Sequence, residues 1–103
     1  MGYLHYGIES FPFDDRLLLH LQVVVGVKLR RHEAFFVSWR PGAQTGEGRH
    51  AIWIDNGVPI HFNYSGGRPP TLNREWIEQL VTSANSSSGL NLADDRNAEP
   101  PTA

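Results

Sequence analysis

Apolar residues recur along the chain with two periods, and each change of period marks a new element. Gly2 to Ile8 alternates, with Leu4, Tyr6 and Ile8 on one side and Tyr3 and His5 on the other, which predicts a first strand. Glu9 to Pro12 reads as a turn. The period then lengthens. Asp14 is placed to cap a helix over Asp15 to Arg31, its carboxylate accepting from free first-turn amides, with Phe13 and Leu18 as a hydrophobic staple. Asp14 and Asp15 at its start and Lys28, Arg30 and Arg31 at its end complement the helix dipole. Val23, Val24, Val25, Gly26 and Val27 are weak helix formers, but the uninterrupted run is too long for an ordinary strand. Leu18, Leu21, Val25 and Leu29 make one stripe, while Leu17, Leu19, Val23, Val24 and Val27 spread apolar character around most of the circumference. Such a helix needs cover on more than one side.

Glu33 to Arg40 predicts a strand with Phe35, Val37 and Trp39 on one face and Ala34, Phe36 and Ser38 on the other. Pro41 to Gly48 is a polar, glycine-rich loop. His50 to Asp55 and Val58 to Tyr64 flank Asn56-Gly57, a strong hairpin signal. A two-residue turn there sets Asp55 opposite Val58, Trp53 opposite Ile60 and Ala51 opposite Phe62, with Ile52 and Ile54 beside His50 and His61. Pro59 sits badly in a central strand. Ser65 to Pro70 turns and extends. Asn73 then caps a second helix, stapled by Leu72 and Ile77, whose apolar face is Trp76, Ile77, Leu80, Val81 and Ala84. Gly89 suits a left-handed position after it, and Leu90 to Leu92 supplies an optional last short strand. The order β-α-β-β-β-α predicts one small α+β domain over residues 1–92, a mainly antiparallel sheet with two helices on one face. Residues 93–103 read as a disordered acidic tail.

The 103 residues suffice for one core. With no cysteine, disulfides, thiolate metal sites and cysteine nucleophiles are excluded together. No targeting pattern and no long apolar run is present, so the expectation is a cytoplasmic protein without membrane contact. Residues 91–103 carry Asp94, Asp95 and Glu99 against Arg96, which leaves the rest of the chain electrically neutral. Seven of the eight bases in that neutral body are arginines, the residue suited to planar and stacked contacts.

Lys28, Arg30, Arg31, Arg40, Arg49, Arg68 and Arg74 are candidates for nucleic-acid or anion binding, set against the alternative that they are a solvated helix end and a rim. Interleaved with Trp39, Trp53, Phe62 and Tyr64, the arginines at element ends would make a stacking platform for a single strand. Ser65-Gly66-Gly67-Arg68 precedes a helix but lacks phosphate-loop spacing, and a plain turn is the better reading. His50 and His61 are the one histidine pair the expected register brings together; no further ligands follow, so no metal site and no cofactor is assigned. His20, among leucines, reads as a hydrogen-bonded or interface histidine. No spacing joins a nucleophile to a base, and no enzyme activity is expected.

The residues Met1-Gly2-Tyr3-Leu4, Phe13-Asp14-Asp15-Arg16, Lys28-Leu29-Arg30-Arg31, Ser38-Trp39, Ile52-Trp53, Arg68-Pro69-Pro70 and Leu72-Asn73-Arg74-Glu75-Trp76-Ile77, in this order, carry a resemblance. The chain resembles a family of uncharacterised small actinobacterial proteins of this length, and the likeness covers all but the tail. Members are often labelled ATP-dependent DNA ligase. Nucleotidyl-transferring ligases take AMP on a lysine followed by x-Asp-Gly within a far larger body. The sole lysine here, Lys28, is followed by Leu29-Arg30-Arg31, so the resemblance transfers no catalytic residue.

The leading expectation is a non-catalytic interaction module that forms a homodimer or docks to a protein partner. Apolar surface on two sides of the first helix and the central hairpin motivates it, with Val23, Val27, Phe36 and Trp53 as interface candidates. The alternative is an arginine-patch nucleic-acid-binding accessory protein. A ligand site in the loop Gly66 to Asn73 is a third class, which thermal shifts with nucleotides and metals would reveal.

Overall fold

The computed structural model describes residues 1–41 and 48–101, so most of the glycine-rich loop after Pro41 lies outside the described residues. Its elements run β1 (Gly2–Tyr6), β2 (Glu9–Phe13), α1 (Asp15–Arg30), β3 (Phe35–Trp39), β4 (His50–Ile54), β5 (Ile60–Asn63), α2 (Arg74–Ala84) and β6 (Leu90–Asn91). The class is α+β, with two three-stranded sheets in place of the single sheet expected.

Sheet A has the order β2-β1-β5, all antiparallel. Its hairpin turns at Gly7-Ile8 and not at Glu9 to Pro12, because Gly7 takes a φ of 61° and Tyr6 pairs directly with Glu9. Glycine first in a two-residue loop bends the chain with the hand that matches strand twist. The alternation of Leu4 and Tyr6 therefore continues into Phe11 and Phe13, and Leu4 stands opposite Phe11 and Phe62.

Sheet B has the order β4-β3-β6, antiparallel then parallel. This corrects the hairpin expected at Asn56-Gly57. Trp53 faces Phe36 and not Ile60, Ala51 faces Ser38 and not Phe62, and β5 leaves to join β1. The physical reason is burial. Ile54 and Phe35 share sheet B's inner side with Val37, while Phe62 and Ile60 back onto Leu4 and Tyr6. The connecting turn is drawn to the end of α1, where the Asn56 side-chain amide donates to the Leu29 carbonyl at 3.0 Å.

The inner faces of both sheets and the two helices share one core of Leu4, Phe13, Leu18, Leu21, Val24, Val37, Trp39, Ile54, Leu80 and Leu90. α1 begins as read, with the Asp14 carboxylate accepting from the Leu17 amide. Its end is closed by His32 in the left-handed region, φ 57°, where the amides of His32 and Glu33 return to the carbonyls of Leu29 and Lys28. α2 starts on Asn73, whose side chain accepts from the Trp76 amide. Gly89 takes the left-handed conformation expected of it, at φ 80°, and a Cβ there would meet the Phe36 backbone at 2.5 Å. The optional last strand is β6, which lies parallel to β3.

The segment after Ala93, expected as a loose acidic tail, crosses both helices as far as Pro101. It makes a 3-10 turn at Asp95–Asn97, receives the Trp76 indole N–H on the Asn97 carbonyl at 2.9 Å, and places Glu99 against Arg16. Arg16 Nε donates to Glu99 Oε1 at 2.7 Å, and the Asn73 amide donates to Glu99 Oε2 at 3.0 Å. Composition spoke for disorder, and these paired groups outweigh it.

Candidate interaction surface

Seven basic residues were nominated, and the structure scatters them. Lys28 is buried: its ammonium donates to Asn85 Oδ1 at 2.8 Å, lies 3.3 Å from Glu33 and sits over the Phe35 ring. It ties α1 to α2 and offers nothing to a ligand. Arg30 and Arg31 are exposed at the end of α1, and Arg30 folds back on the Gly26 carbonyl. Arg74 opens α2 beside Glu75, and Arg68 lines a hollow of about 230 Å³ with Leu19, Tyr64 and Pro70. Of the seven, Arg40 and Arg49 share a cavity of about 700 Å³, lined also by Ser38, Ala51 and Asn91.

The nominated aromatics separate in the same way. Trp39 is buried between Phe11, Phe13 and a stacked His50, while Phe62 and Tyr64 are half-buried. Trp53 remains outside with Phe36. Their rings stand 4.8 Å apart, edge to face, and keep 50% and 43% of their surface. Of the interface candidates these two come together, whereas Val23 lies in a groove with Leu29, Ile60 and Phe62 and Val27 is half-buried on α1.

Strand alternation orders the outer face of sheet B. From Phe36, every second residue gives Ser38 and Arg40; from Trp53, it gives Ala51 and Arg49. The ladder sets Phe36 opposite Trp53 and Ser38 opposite Ala51 and ends at Trp39 opposite His50; Arg40 and Arg49 flank that last pair and line one cavity with Ser38 and Ala51. An aromatic pair, a small pair and two arginines beyond the strand ends thus follow one another over about 13 Å. The signal was readable in the two strands, but only a register joining β3 to β4 assembles it.

The free edge of β4 is partly closed by Tyr6, whose hydroxyl donates to the Trp53 carbonyl at 2.7 Å and accepts from the Asp55 amide at 2.8 Å. These are groups that an added strand would otherwise take.

Other nominated features are internal fastenings. The amides of Gly66 and Ser65, in the segment read as a plain turn, donate to the Asp15 carboxylate at 2.9 and 3.2 Å and lower its pKa. His20 is fully buried against Trp76; its Nδ1–H donates to the Arg16 carbonyl, and its Nε2 accepts from the Asn73 amide. His50 and His61 do not share a face, since β4 and β5 lie in different sheets. Among the described residues, no group of three or more His, Asp or Glu is arranged to hold a metal ion. An unforeseen contact is His5 Nδ1 to Ser10 Oγ at 2.6 Å, with the His61 ring tilted against His5 at 5.1 Å between centroids. It came to light only with the β1–β2 hairpin, and it lies on the open face of sheet A outside the cavities above.

The molecule so described is a small α+β domain with an apolar-to-basic strip on one sheet face. Residues 1–95 match the family described as Domain of unknown function (DUF7882), and the chain belongs to that family. That description names no reaction. No curated protein and no solved structure matches the chain. No described helix is long and apolar enough to cross a membrane.

Proposed function

We propose that this protein is a non-catalytic interaction module whose contact surface is the outer face of sheet B, used to bind a second copy or a protein partner. The observation that carries this reading is the Phe36–Trp53 pair, two large rings held together and half open to solvent. Exposed single apolar residues are ordinary, but a paired aromatic patch beside arginines has the composition of an interface centre. A cytoplasmic location belongs to the same proposal and rests on the lack of a recognisable targeting pattern or long apolar run in this sequence.

Light scattering tests it. The wild-type chain at micromolar concentration should exceed its 11.6 kDa monomer mass, and Trp53→Ala should return it to that mass. A wild-type chain at 11.6 kDa under all conditions removes the self-association half of the reading.

One observation favours a second reading, a nucleic-acid accessory role: Arg40 and Arg49 share a face with Trp53, an arrangement that suits one stacked base and its phosphates. Two phosphate contacts on a single strand predict a log–log salt slope of about −1.4. A slope near zero, or no binding at about 50 mM salt, ends that reading.

A further inference from the structure

We propose that the outer face of sheet B is self-complementary: a second copy docks on it about a two-fold axis, with Arg40 and Arg49 of each copy on the partner's Phe36 and the partner's Trp53. This rests on the interaction reading above and names its partner.

The strip reads aromatic pair, small pair, two arginines, with Ser38 and Ala51 at its middle. Rotating a copy by half a turn about the small pair reverses the order, so at both ends the arginines of one copy meet the aromatic pair of the other. An isologous contact of this kind closes as a dimer and leaves no repeating surface. Ser38 and Ala51 are small enough for two sheet faces to approach at the axis.

The chemistry of the ends agrees. Guanidinium groups stack on aromatic rings through their planes and are weakly hydrated, so covering them costs less than covering an ammonium. The only lysine of the chain is buried, and every exposed base is arginine. An acidic peptide would satisfy the arginines and leave the rings bare. An apolar peptide would do the reverse. A second copy supplies both counterparts in the required order.

Sedimentation equilibrium on the full chain tests this, with two double variants: Arg40→Ala with Arg49→Ala, and Phe36→Ala with Trp53→Ala. Each should self-associate at least about tenfold more weakly than wild type, about 1.4 kcal/mol. Mixing the two should restore association, because one Arg–aromatic contact re-forms in the heterodimer and none exists in either variant alone. Arg40→Lys with Arg49→Lys keeps the charge, removes the stacking plane and should also weaken the dimer. These side chains are exposed, and circular dichroism confirms that each variant is folded; should the aromatic variant unfold, Trp53→Leu takes its place in the mixture.

A mixture that associates no better than its components overturns the proposal. So does a wild-type dimer that the arginine variants leave unchanged, which would spare the broader interaction reading. A wild-type chain monomeric to about 1 mM removes self-association altogether. Saturable binding of a single-stranded oligonucleotide, lost in the arginine variant, reassigns the strip to nucleic acid.

Discussion

The two sheets are equal in strand number and share one core, but their outer faces are dressed differently. Sheet A turns Tyr3, His5, Ser10, His61 and Asn63 outward, a face of hydrogen-bonding groups that stack on and bond to one another. Sheet B turns out Phe36 and Trp53 beside small residues and two arginines. On the first face Tyr3, His5, Ser10 and His61 engage one another, though Tyr3 keeps 45% of its surface; the second face pairs two exposed rings beside arginines. Folding asks for the inner faces of both sheets; it does not ask for Trp53 where it stands.

The comparison breaks first in the core. Leu4→Ala removes a fully buried side chain from sheet A and should cost about 3 kcal/mol in denaturant unfolding; Leu90→Ala should cost a similar amount in sheet B. A much smaller loss for one of them would show that its sheet is peripheral. Tyr6→Phe comes next. It deletes the hydroxyl that joins sheet A to β4 through Trp53 and Asp55, and should cost about 1–2 kcal/mol. Its sharper readout is hydrogen exchange, where the Asp55 amide should lose protection.

Acid probes the fastening across the helices. The Arg16 guanidinium, helped by the Asn73 amide, holds the Glu99 carboxyl down to about 2 from an ordinary 4.5. A depressed acid contributes stability above its unfolded pKa and loses it as pH falls toward the folded one. The contribution should therefore be present above about pH 4.5 and fade toward pH 2, an acid limb that Glu99→Gln flattens. Solvent screens this partly open pair, so the tail loosens before the core does. Trp76 fluorescence reports it, because its indole bonds the same segment.

The smallest stability effects sharpen the contrast most. His61→Ala should change unfolding free energy by under about 0.5 kcal/mol, whereas Trp53→Ala gives up its packing on Phe36 and should cost about 1 kcal/mol. Only Trp53→Ala should change the molecular mass in solution. Equal behaviour of the two in light scattering would erase the distinction between the faces.

What was legible in the sequence was local. The Asp14 and Asn73 caps, the course of both helices, the inward set Phe35, Val37 and Trp39, and the left-handed Gly89 each depend on a few neighbouring residues. Asn56-Gly57 misled because a turn signal says that the chain bends and nothing about where its arms go. The pairing of β4 with β3 and β5 with β1 is decided by burial at long range. Lys28 looked like a dipole cation because its partners Asn85 and Phe35 belong to other elements. Phe36 and Trp53 were each nominated, but their junction with Arg40 and Arg49 waited on the register.

The closing strands and the fastened tail also set a pace. β1 takes β5 as its partner, with Tyr3 opposite Asn63, and Arg16 meets Glu99 across 83 positions of chain. Contacts so far apart must close large loops before they repay the lost freedom, and chains dominated by them fold slowly for their size. The capped helices and the β1–β2 hairpin rest on local contacts, whereas the β1–β5 pairing and the Glu99 fastening close the long loops. In refolding kinetics, substitutions at Arg16 or Glu99 should therefore speed unfolding and leave the folding rate almost unchanged.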